Sequence, residues 1–316
     1  MTDQDVNDRA GVPDGMVLVD KPEGLSSAMV VDRVKKIFQA KKAGHTGTLD
    51  PFATGLLPVA LGQATRISRF FLGGAKQYRA VVTLGVETDT YDRTGSVVSR
   101  ADLHRLSSIQ PEQVMETVAG FAGKQQQVPP SFSALKHQGQ PLYKLARQGK
   151  MVQKPARTIE IYALTVIRMD LPEIEIAIHC SGGTYIRSMA HDIGQLLGCG
   201  AHLSALSRTG VSYFSLDQAH ALSTLSSAEG QPMDRFVVPM ADCLPFMPRV
   251  QAEAALEKKI RYGQKLFAPE ISLPDSDPAQ AALTPVQIIG TDGRLIAVIE
   301  ADKTGTAYNY CCVFTG

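Results

Sequence analysis

A single carboxylate lies in a segment rich in glycine and proline. Residues 44–62 read GHTGTLDPFATGLLPVALG, and Asp50 is the acidic residue in that stretch. Glycines permit unusual backbone angles, and Pro51 biases Asp50 away from a helical conformation, so the carboxylate is presented from a rigid loop. A carboxylate held this way is suited to act as a nucleophile. The alternative, which the segment alone leaves open, is a simple turn in which the aspartate bonds its own backbone.

A second unusual feature is a stretch of one-sided charge. Residues 121–159 contain no Asp or Glu and carry Lys124, Lys136, Lys144, Arg147, Lys150, Lys154 and Arg157, here called the basic segment. Such an excess suits an anionic partner such as a nucleic acid, although a solvated basic face without a ligand is an equal alternative. The whole chain carries only +1, but Met1–Asp14 holds four acids against Arg9 and masks a more basic remainder.

Composition excludes several classes of protein. The 316 residues predict one or two domains, and no apolar run approaches the roughly 20 residues of a membrane-spanning helix. The polar start lacks a secretory signal, so we expect a cytoplasmic protein without a membrane partner. The five cysteines are too few for a disulfide framework and form no CxxC pair, and the histidines show no metal-binding spacing. We therefore predict no metal, and the absence of a Walker loop or dinucleotide fingerprint predicts no cofactor.

The elements that position these residues follow from periodicity. A short buried strand is expected at Met16–Val19, followed by a helix that Ser26 or Ser27 caps. Alternating apolar residues predict three further strands, and helical spacing predicts three further helices. The strands are Tyr78–Leu84, Thr158–Met169 and Glu173–Cys180, and the helices are Gln63–Phe71, Pro111–Phe121 and Tyr185–Leu197. Because single helices do not regularly separate the strands, we expect an α+β fold with a mixed, largely antiparallel sheet.

The C-terminal part reads as a small second domain. Strand and helix patterns fade between Ser223 and Pro248 and then restart with a helix at Gln251–Tyr262. The strands predicted beyond it are Val286–Ile289, Leu295–Ile299 and Ala307–Val313. We expect a disordered acidic leader at residues 1–14, a catalytic domain at 15–245, a β-rich domain at 246–316, and a divergent loop at Ile271–Pro285.

Several ordered motifs resemble those of the TruB family of tRNA pseudouridine synthases. The Asp50 segment is similar to that family's GxLDPxATG signature. Five further segments resemble other family motifs: VDKPEGLSS at 19–27, KQYRAVVTL at 76–84, VPPSFSALKHQGQPLYKLARQG at 128–149, HCSGGTYIR at 179–187 and GCGAHLSALSR at 198–208. The similarity spans most of residues 15–214. It implies a pseudouridine synthase fold, and the tail resembles a PUA-like domain more weakly.

The resemblance implies a role for each matching residue. Asp50 would be the nucleophile, and Arg187 would pair with it and keep it ionised. Tyr78 would stack on the target uracil and take part in removing the proton from C5. His45 would fill the gap left by the flipped base, whereas Tyr185 and Leu206 would line the pocket. Lys21 would support the active-site loop or substrate backbone contacts rather than enter the chemistry.

The reaction implied by the family is isomerisation of uridine to pseudouridine in the T arm of tRNA, at tRNA position 55. The N1–C1′ bond is cleaved, the base rotates, and C5 is attached in place of N1. The implied partner is the T-arm stem-loop of tRNA, with no obligatory protein partner, and we expect a monomer.

Two other functions remain as alternatives. A retaining glycosidase also uses a carboxylate at an anomeric carbon, but it needs a second acid about 5–5.5 Å away. No second acid occurs between Gly44 and Glu87. A non-catalytic RNA-binding protein, such as an RNA chaperone, would explain the basic segment alone, but it would not require Asp50, Tyr78 and Arg187 together.

Overall fold

The computed structural model describes residues 14–273 and 284–314. The expected acidic leader lies outside the described residues except for Asp14, and so does most of the divergent loop at Ile271–Pro285. The Asp14 carboxylate accepts hydrogen bonds from the backbone N–H of Gln63, at 2.7 Å, and from the Gln63 side-chain amide, at 2.9 Å.

The described residues form strands and helices in the following chain order. The strands are β1 (Gly15–Lys21), β2 (Ala43–His45), β3 (Thr54–Leu61), β4 (Lys76–Leu84), β5 (Val86–Thr88), β6 (Val97–Arg100), β7 (Gly123–Gln127), β8 (Lys136–His137), β9 (Gln140–Pro141), β10 (Arg157–Asp170), β11 (Glu173–Cys180), β12 (Ala201–Val211), β13 (Phe214–Ser215), β14 (His220–Ala221), β15 (Val237–Pro239), β16 (Arg249–Gln251), β17 (Leu266–Phe267), β18 (Val286–Ile289), β19 (Leu295–Ala301) and β20 (Ala307–Val313). The α-helices are α1 (Ser27–Ile37), α2 (Arg69–Leu72), α3 (Leu103–Ser107), α4 (Pro111–Ala119), α5 (Leu142–Arg147), α6 (Ile186–Leu196), α7 (Leu222–Ser227) and α8 (Ala254–Arg261). Short 3₁₀ turns occupy Gly62–Arg66, Leu216–Gln218, Asp234–Phe236, Met240–Asp242 and Ala268–Glu270.

A large sheet positions the site. Its strand order is β14-β1-β3-β12-β4-β11-β10-β7, and β2, β13 and β15 pair at its margins. Most neighbours run antiparallel, whereas the β1–β14 and β3–β12 pairs are parallel. The α+β class and the largely antiparallel mixed sheet are confirmed.

Helix α6 covers one face of this sheet. Its buried residues Ile186, Met189, Ala190 and Ile193 recur every three or four positions and pack on β4, β11 and β12. Leu196, near the end of the helix, lies off this buried face and is 70% exposed. The reason is the helical period: Leu197, four residues after Ile193, returns to the core face instead.

Helix α1 covers the adjoining part of the sheet. The Ser26 hydroxyl accepts from the backbone N–H of Met29 and caps the helix, as predicted. Val30, Val31 and Val34 then pack against β1 and β3.

The predicted helix at Gln63–Phe71 is wrong as one continuous element. The chain forms a 3₁₀ turn at Gly62–Arg66 and a separate helix α2. The Thr65 hydroxyl donates to the carbonyl of Gly62 at 2.9 Å, and the Ser68 hydroxyl donates to that of Thr65. Such local bonds compete with the regular helical ladder.

The C-terminal strands form a separate five-stranded sheet with the order β16-β18-β19-β20-β17. Strand β15 still pairs with β1, so the change of sheet falls between Pro239 and Arg249. A β-rich C-terminal part is therefore confirmed, whereas its PUA-like character and a boundary at residue 246 stay predictions. Ile289 and Val298 share an apolar cluster with Met16 and Leu18, which packs the small sheet on the large one.

Candidate active site

A cavity of about 480 Å³ opens where β4, β12, the start of α6 and the loop between β2 and β3 meet. Five of the seven residues singled out from the sequence line it: Asp50, Tyr78, Tyr185, Arg187 and Leu206. These residues lie far apart in the chain, so the fold assembles the site.

The Asp50 carboxylate is bound by Arg187. Arg187 Nε donates to Asp50 Oδ2 at 2.8 Å, and Nη2 lies 3.4 Å from Oδ1. The Asp50 side chain keeps 34% exposure, whereas that of Arg187 keeps 5%. The carbonyl of Asp50 accepts from Ala53 N–H, so the Asp-Pro turn does form, but the turn leaves the carboxylate free to face the arginine and the cavity. An ionised, oriented and partly accessible carboxylate is what a nucleophile requires.

Backbone carbonyls bind both terminal nitrogens of the Arg187 guanidinium. Nη1 donates to the carbonyl of Thr90 at 2.9 Å, and Nη2 donates to that of Phe132 at 2.8 Å. Arg187 lies in the first turn of α6, where a cation is unfavourable to the helix dipole, so neighbouring carboxylates are needed to offset its charge there.

Asp92 supplies the second carboxylate, and the sequence analysis missed it. Its Oδ2 lies 3.6 Å from Arg187 Nε, and its side chain is 6% exposed. Asp92 Oδ1 accepts from the backbone N–H and the hydroxyl of Thr94, at 2.9 and 2.6 Å. In the sequence TDTYDRTG this acid looks like an ordinary turn residue, and only the contact with Arg187 distinguishes it.

Three contacts hold the loop that carries Asp50. The hydroxyl of Ser27 accepts from Leu49 N–H at 2.8 Å and donates to Leu49 O at 2.9 Å. Gly24 N–H donates to the carbonyl of Pro51 at 2.8 Å. The ammonium of Lys21 donates to the carbonyls of Pro22, Leu25 and Pro51. The VDKPEGLSS segment at residues 19–27 therefore holds both sequence neighbours of Asp50, namely Leu49 and Pro51.

Arg208 braces the same loop from the opposite side. It is 1% exposed, and its guanidinium donates to the carbonyls of Leu56, Gly47 and Thr48. Close approach of β12 to β3 requires Gly55, because a Cβ there would lie 2.4 Å from the carbonyl oxygen of Arg208 and because φ at Gly55 is +96°. Arg208 ends the GCGAHLSALSR segment, which resembles a family motif, but no role for it was predicted from the sequence.

Tyr78 lies on β4, opposite Ile178 of β11 and Arg208 of β12. Burial raises the pKa of its phenol above the ordinary value, and the Arg208 guanidinium opposes that shift. The phenol therefore stays protonated at neutral pH and can donate a hydrogen bond within the cavity.

Tyr185 stands at the boundary between the cavity and the basic segment. The guanidinium of Arg157 lies over its ring, 4.7 Å from the centroid. A cation at this distance is attracted by the aromatic face. Leu206 contributes an apolar wall from β12, so the cavity combines apolar sides with one carboxylate.

His45 and Lys21 are absent from the cavity lining. His45 lies on β2, where its Nδ1 accepts from Gly47 N–H at 3.3 Å, and burial lowers its pKa, assisted by Arg208. Lys21 is 0% exposed, and burial lowers its pKa to about 8, opposed by the nearby Asp50. The lysine supports the loop and presents no surface to a ligand.

The basic segment lies beside the cavity, and most of its cations are exposed, namely Lys124, Lys136, Lys144, Arg147 and Lys150. No carboxylate in the described part of the chain lies within ion-pair distance of any of its seven cations. These charges remain available to an anionic partner.

The described residues contain no group of three or more His, Cys, Asp or Glu side chains placed to hold a metal ion. Across residues 14–273 and 284–314, no helix is both long and apolar enough to span a membrane.

Comparison with known families gives the chain its place. Residues 35–186 match the model of the TruB family pseudouridylate synthase N-terminal domain. Residues 187–244 match that of the tRNA pseudouridylate synthase B C-terminal domain. The chain belongs to the TruB family. It is therefore a pseudouridine synthase, an isomerase, and the resemblance found in the sequence is confirmed.

Curated relatives and solved structures agree with this membership. A TruB-family protein from Burkholderia mallei (strain NCTC 10247), named tRNA pseudouridine synthase B, is 42% identical over 92% of this chain and 94% of its own. One of the same name from Geobacter sulfurreducens is 45% identical over 79% of this chain and 82% of its own.

Two solved structures share the fold. One is an H/ACA RNP bound to a substrate RNA containing 2′-deoxyuridine, with a TM-score of 0.73 and 25% identity over 97% of this chain and 86% of that one. The other is a Cbf5-Nop10-Gar1 complex, with a TM-score of 0.73 and 27% identity over 96% and 86%. The pseudouridine synthase fold expected for this TruB-family chain is confirmed.

Proposed function

We propose that this TruB-family enzyme isomerises uridine to pseudouridine at position 55, in the T arm of tRNA, with Asp50 as the nucleophile. The observation that carries the proposal is the bond of 2.8 Å between Arg187 Nε and Asp50 Oδ2 at the wall of a cavity that Tyr78 also lines. The arginine gives the carboxylate an oppositely charged partner that orients it, and the cavity lies where an extruded base would enter.

The chemistry needs one nucleophile and no redox partner. Asp50 attacks either the sugar or the base, the N1–C1′ bond breaks, and the uracil rotates in the cavity. A bond then forms between C5 and C1′, N1 acquires a proton, the proton on C5 is released, and the bond to Asp50 breaks, which regenerates the free carboxylate. Substrate and product are isomers, so no other reactant is consumed.

The other residues receive roles that fit their positions. Tyr78 stacks on the uracil, while Tyr185 and Leu206 confine the rotating base. Because burial keeps the Tyr78 phenol protonated by raising its pKa, the phenol takes part in removal of the C5 proton as a hydrogen-bond donor and not as the base. Stacking on an aromatic ring is worth about 1–3 kcal/mol per base, which offsets part of the cost of flipping. His45, outside the cavity lining, occupies the gap that the base leaves in the RNA.

tRNA is the proposed substrate because the relatives that cover most of this chain are named tRNA pseudouridine synthase B. The unpaired cations of the basic segment support the same choice, since phosphate contacts supply most of the affinity for nucleic acids. We propose a monomer that acts in the cytoplasm without an obligatory protein partner, because a substrate as large as tRNA can itself cover the exposed basic surface.

Release of tritium from C5 tests the proposal. Purified protein, with no other protein added, is mixed with unmodified tRNA that carries tritium at uridine C5. Wild type should release one equivalent, whereas Asp50→Asn should be slower by about 10⁴-fold or more, because the amide cannot act as the nucleophile. Asp32→Asn changes an exposed acid on α1 in the same way and should retain the wild-type rate.

The same assay separates the alternatives. Undiminished release by Asp50→Asn would remove Asp50 from the nucleophile's role. Binding of tRNA without release would favour an RNA chaperone. A glycosidase would free the base instead. The candidate for its second acid is Asp92, the other carboxylate that contacts Arg187, but Asp92 is buried and already accepts a hydrogen bond from Thr94.

A further inference from the structure

Residues 127–132, within the basic segment, contact the beginning of α6 at three successive points. The side chain of Gln127 bonds the backbone of Tyr185, the carbonyl of Val128 accepts from the Ser188 hydroxyl at 3.1 Å, and the carbonyl of Phe132 accepts from Arg187. The contact therefore surrounds Arg187, the residue that binds the Asp50 carboxylate.

Gln127 makes the most specific of these contacts. Its Oε1 accepts from Tyr185 N–H at 2.8 Å, and its Nε2 donates to Tyr185 O at 2.9 Å. The amide thus satisfies both backbone groups of one residue, as a neighbouring strand would. Gln127 is 4% exposed, so water cannot replace either bond cheaply.

The clamped residue has two functions in the fold. Tyr185 is the N-cap position of α6, with an extended backbone at φ −97° and ψ 108°, and no side-chain hydrogen bond caps the helix there. It lies two residues before Arg187, and its ring lines the cavity. A change in its backbone would therefore move both the wall of the cavity and the guanidinium that binds Asp50.

We infer that Gln127 is a positioning residue for catalysis: it fixes Tyr185 and, through it, Arg187, so that strand β7 of the basic segment sets the geometry of the nucleophile. This inference rests on the proposed function. Gln127 touches neither Asp50 nor the cavity, so it acts through Tyr185.

Gln127→Glu tests the inference with almost no change of shape. The carboxylate can still accept from Tyr185 N–H, but it places an oxygen against Tyr185 O where a donor stood. We expect kcat for tRNA to fall by about ten- to a hundredfold, as one broken buried bond near a reacting group implies, with the Kd for tRNA within about twofold. If the substitution only impaired folding, the fraction of active protein would fall instead, and kcat per active molecule would stay that of wild type.

Gln126→Glu is the matched control. Gln126 lies on the same strand, carries the same side chain and is exposed, where it donates to the Thr158 hydroxyl at 2.9 Å. Both variants add one negative charge within the basic segment, so a difference between them is due to the two hydrogen bonds of Gln127 to Tyr185. Gln127→Met, which keeps the volume and loses both bonds, replaces Gln127→Glu if that variant does not fold.

Hydrogen exchange separates failure of this inference from failure of the proposed function. Amides of residues 185–190 should exchange faster in Gln127→Glu than in Gln126→Glu, whether or not tRNA is the substrate. Equal exchange and equal kcat in the two variants would overturn the inference, and so would a loss expressed only in Kd. Absence of tritium release from wild-type protein would reject the proposed function. The exchange data would still decide whether Gln127 holds the backbone of Tyr185 in place.

Discussion

The surroundings of the active-site cavity in the large sheet, here called the cleft, and the core of the small sheet bury different kinds of residue. Beside the cleft, the fully or nearly fully buried groups include Lys21, Lys76, Asp92, Arg187 and Arg208. Among the described residues of the small sheet, Gln287 is the buried polar residue, and its other buried side chains are aliphatic apart from Cys312. Burial of a charge costs free energy unless partners compensate it, whereas apolar burial is favourable. The cleft therefore gives up stability for geometry, and the small sheet does not.

The partners in the cleft show how the charges are accommodated. Arg208 and Lys76 each bind three backbone carbonyls, and Arg187 binds two carbonyls and two carboxylates. Arg208 and Lys76 hold the backbone in place through these carbonyls, whereas Arg187 also orients the carboxylate of Asp50, the proposed nucleophile. This distinction separates residues that build the cleft from residues that we propose act in it.

Arg187→Met should have the largest effect of the changes that test this contrast. It leaves Asp50 and Asp92 without their shared cation, so kcat/KM for tRNA should fall by about 10²–10³-fold. Arg79→Met removes an exposed arginine that pairs with Glu175 and should change kcat/KM by less than about threefold. Steady-state tritium release measures both, and equal losses would mean that burial beside Asp50 confers no special role.

Lys76, beside the cavity, and Cys311, in the small sheet, should contribute pH dependences of opposite sign to stability. Burial lowers the pKa of Lys76 from 10.5 to about 8, so between those values the unfolded chain holds a proton that the folded chain has released. The free energy of unfolding then rises with pH, by up to about 1.4 kcal/mol per unit. Burial raises the pKa of Cys311 in the small sheet from 9.0 to about 11, so between pH 9 and 11 its contribution falls as pH rises.

Urea unfolding at pH 7.5, 8.5 and 9.5 checks these signs. Lys76→Met should reduce the rise between pH 8 and 9 without abolishing it, because the pKa of Lys21 is also lowered to about 8, and Cys311→Ala should weaken the decline above pH 9. If the rise in unfolding free energy persists unchanged in Lys76→Met, a group other than Lys76 causes it.

Ile299→Val should have the smallest effect and should be confined to stability. Ile299 is 0% exposed in the small sheet, and loss of one methylene costs about 0.5–1.5 kcal/mol of unfolding free energy. Because the residue is remote from the cavity, kcat should remain that of wild type below the melting temperature. Thermal unfolding and tritium release measure the two quantities. A reduced kcat would show that the small sheet contributes to the geometry of the cleft.

The amino-acid sequence by itself determined the family, the fold class and the residue types of the site. Strand and helix periodicity depends on neighbours within a few positions, so β11, α4, α6 and the capped α1 could be predicted. The Asp50 loop was also recognisable, because glycine and proline restrict the backbone locally.

Tertiary structure alone decided which distant residues meet. Asp92, Ser27 and Gln127 look like ordinary turn, cap and strand residues in the sequence, and their roles arise from contacts with Arg187, Leu49 and Tyr185. The same reason explains the missed centre of the sheet, where β12 pairs in parallel with β3 and antiparallel with β4. Local propensity is encoded in neighbouring residues, whereas burial and pairing of charges depend on contacts across more than a hundred positions of chain, such as Asp50 with Arg187.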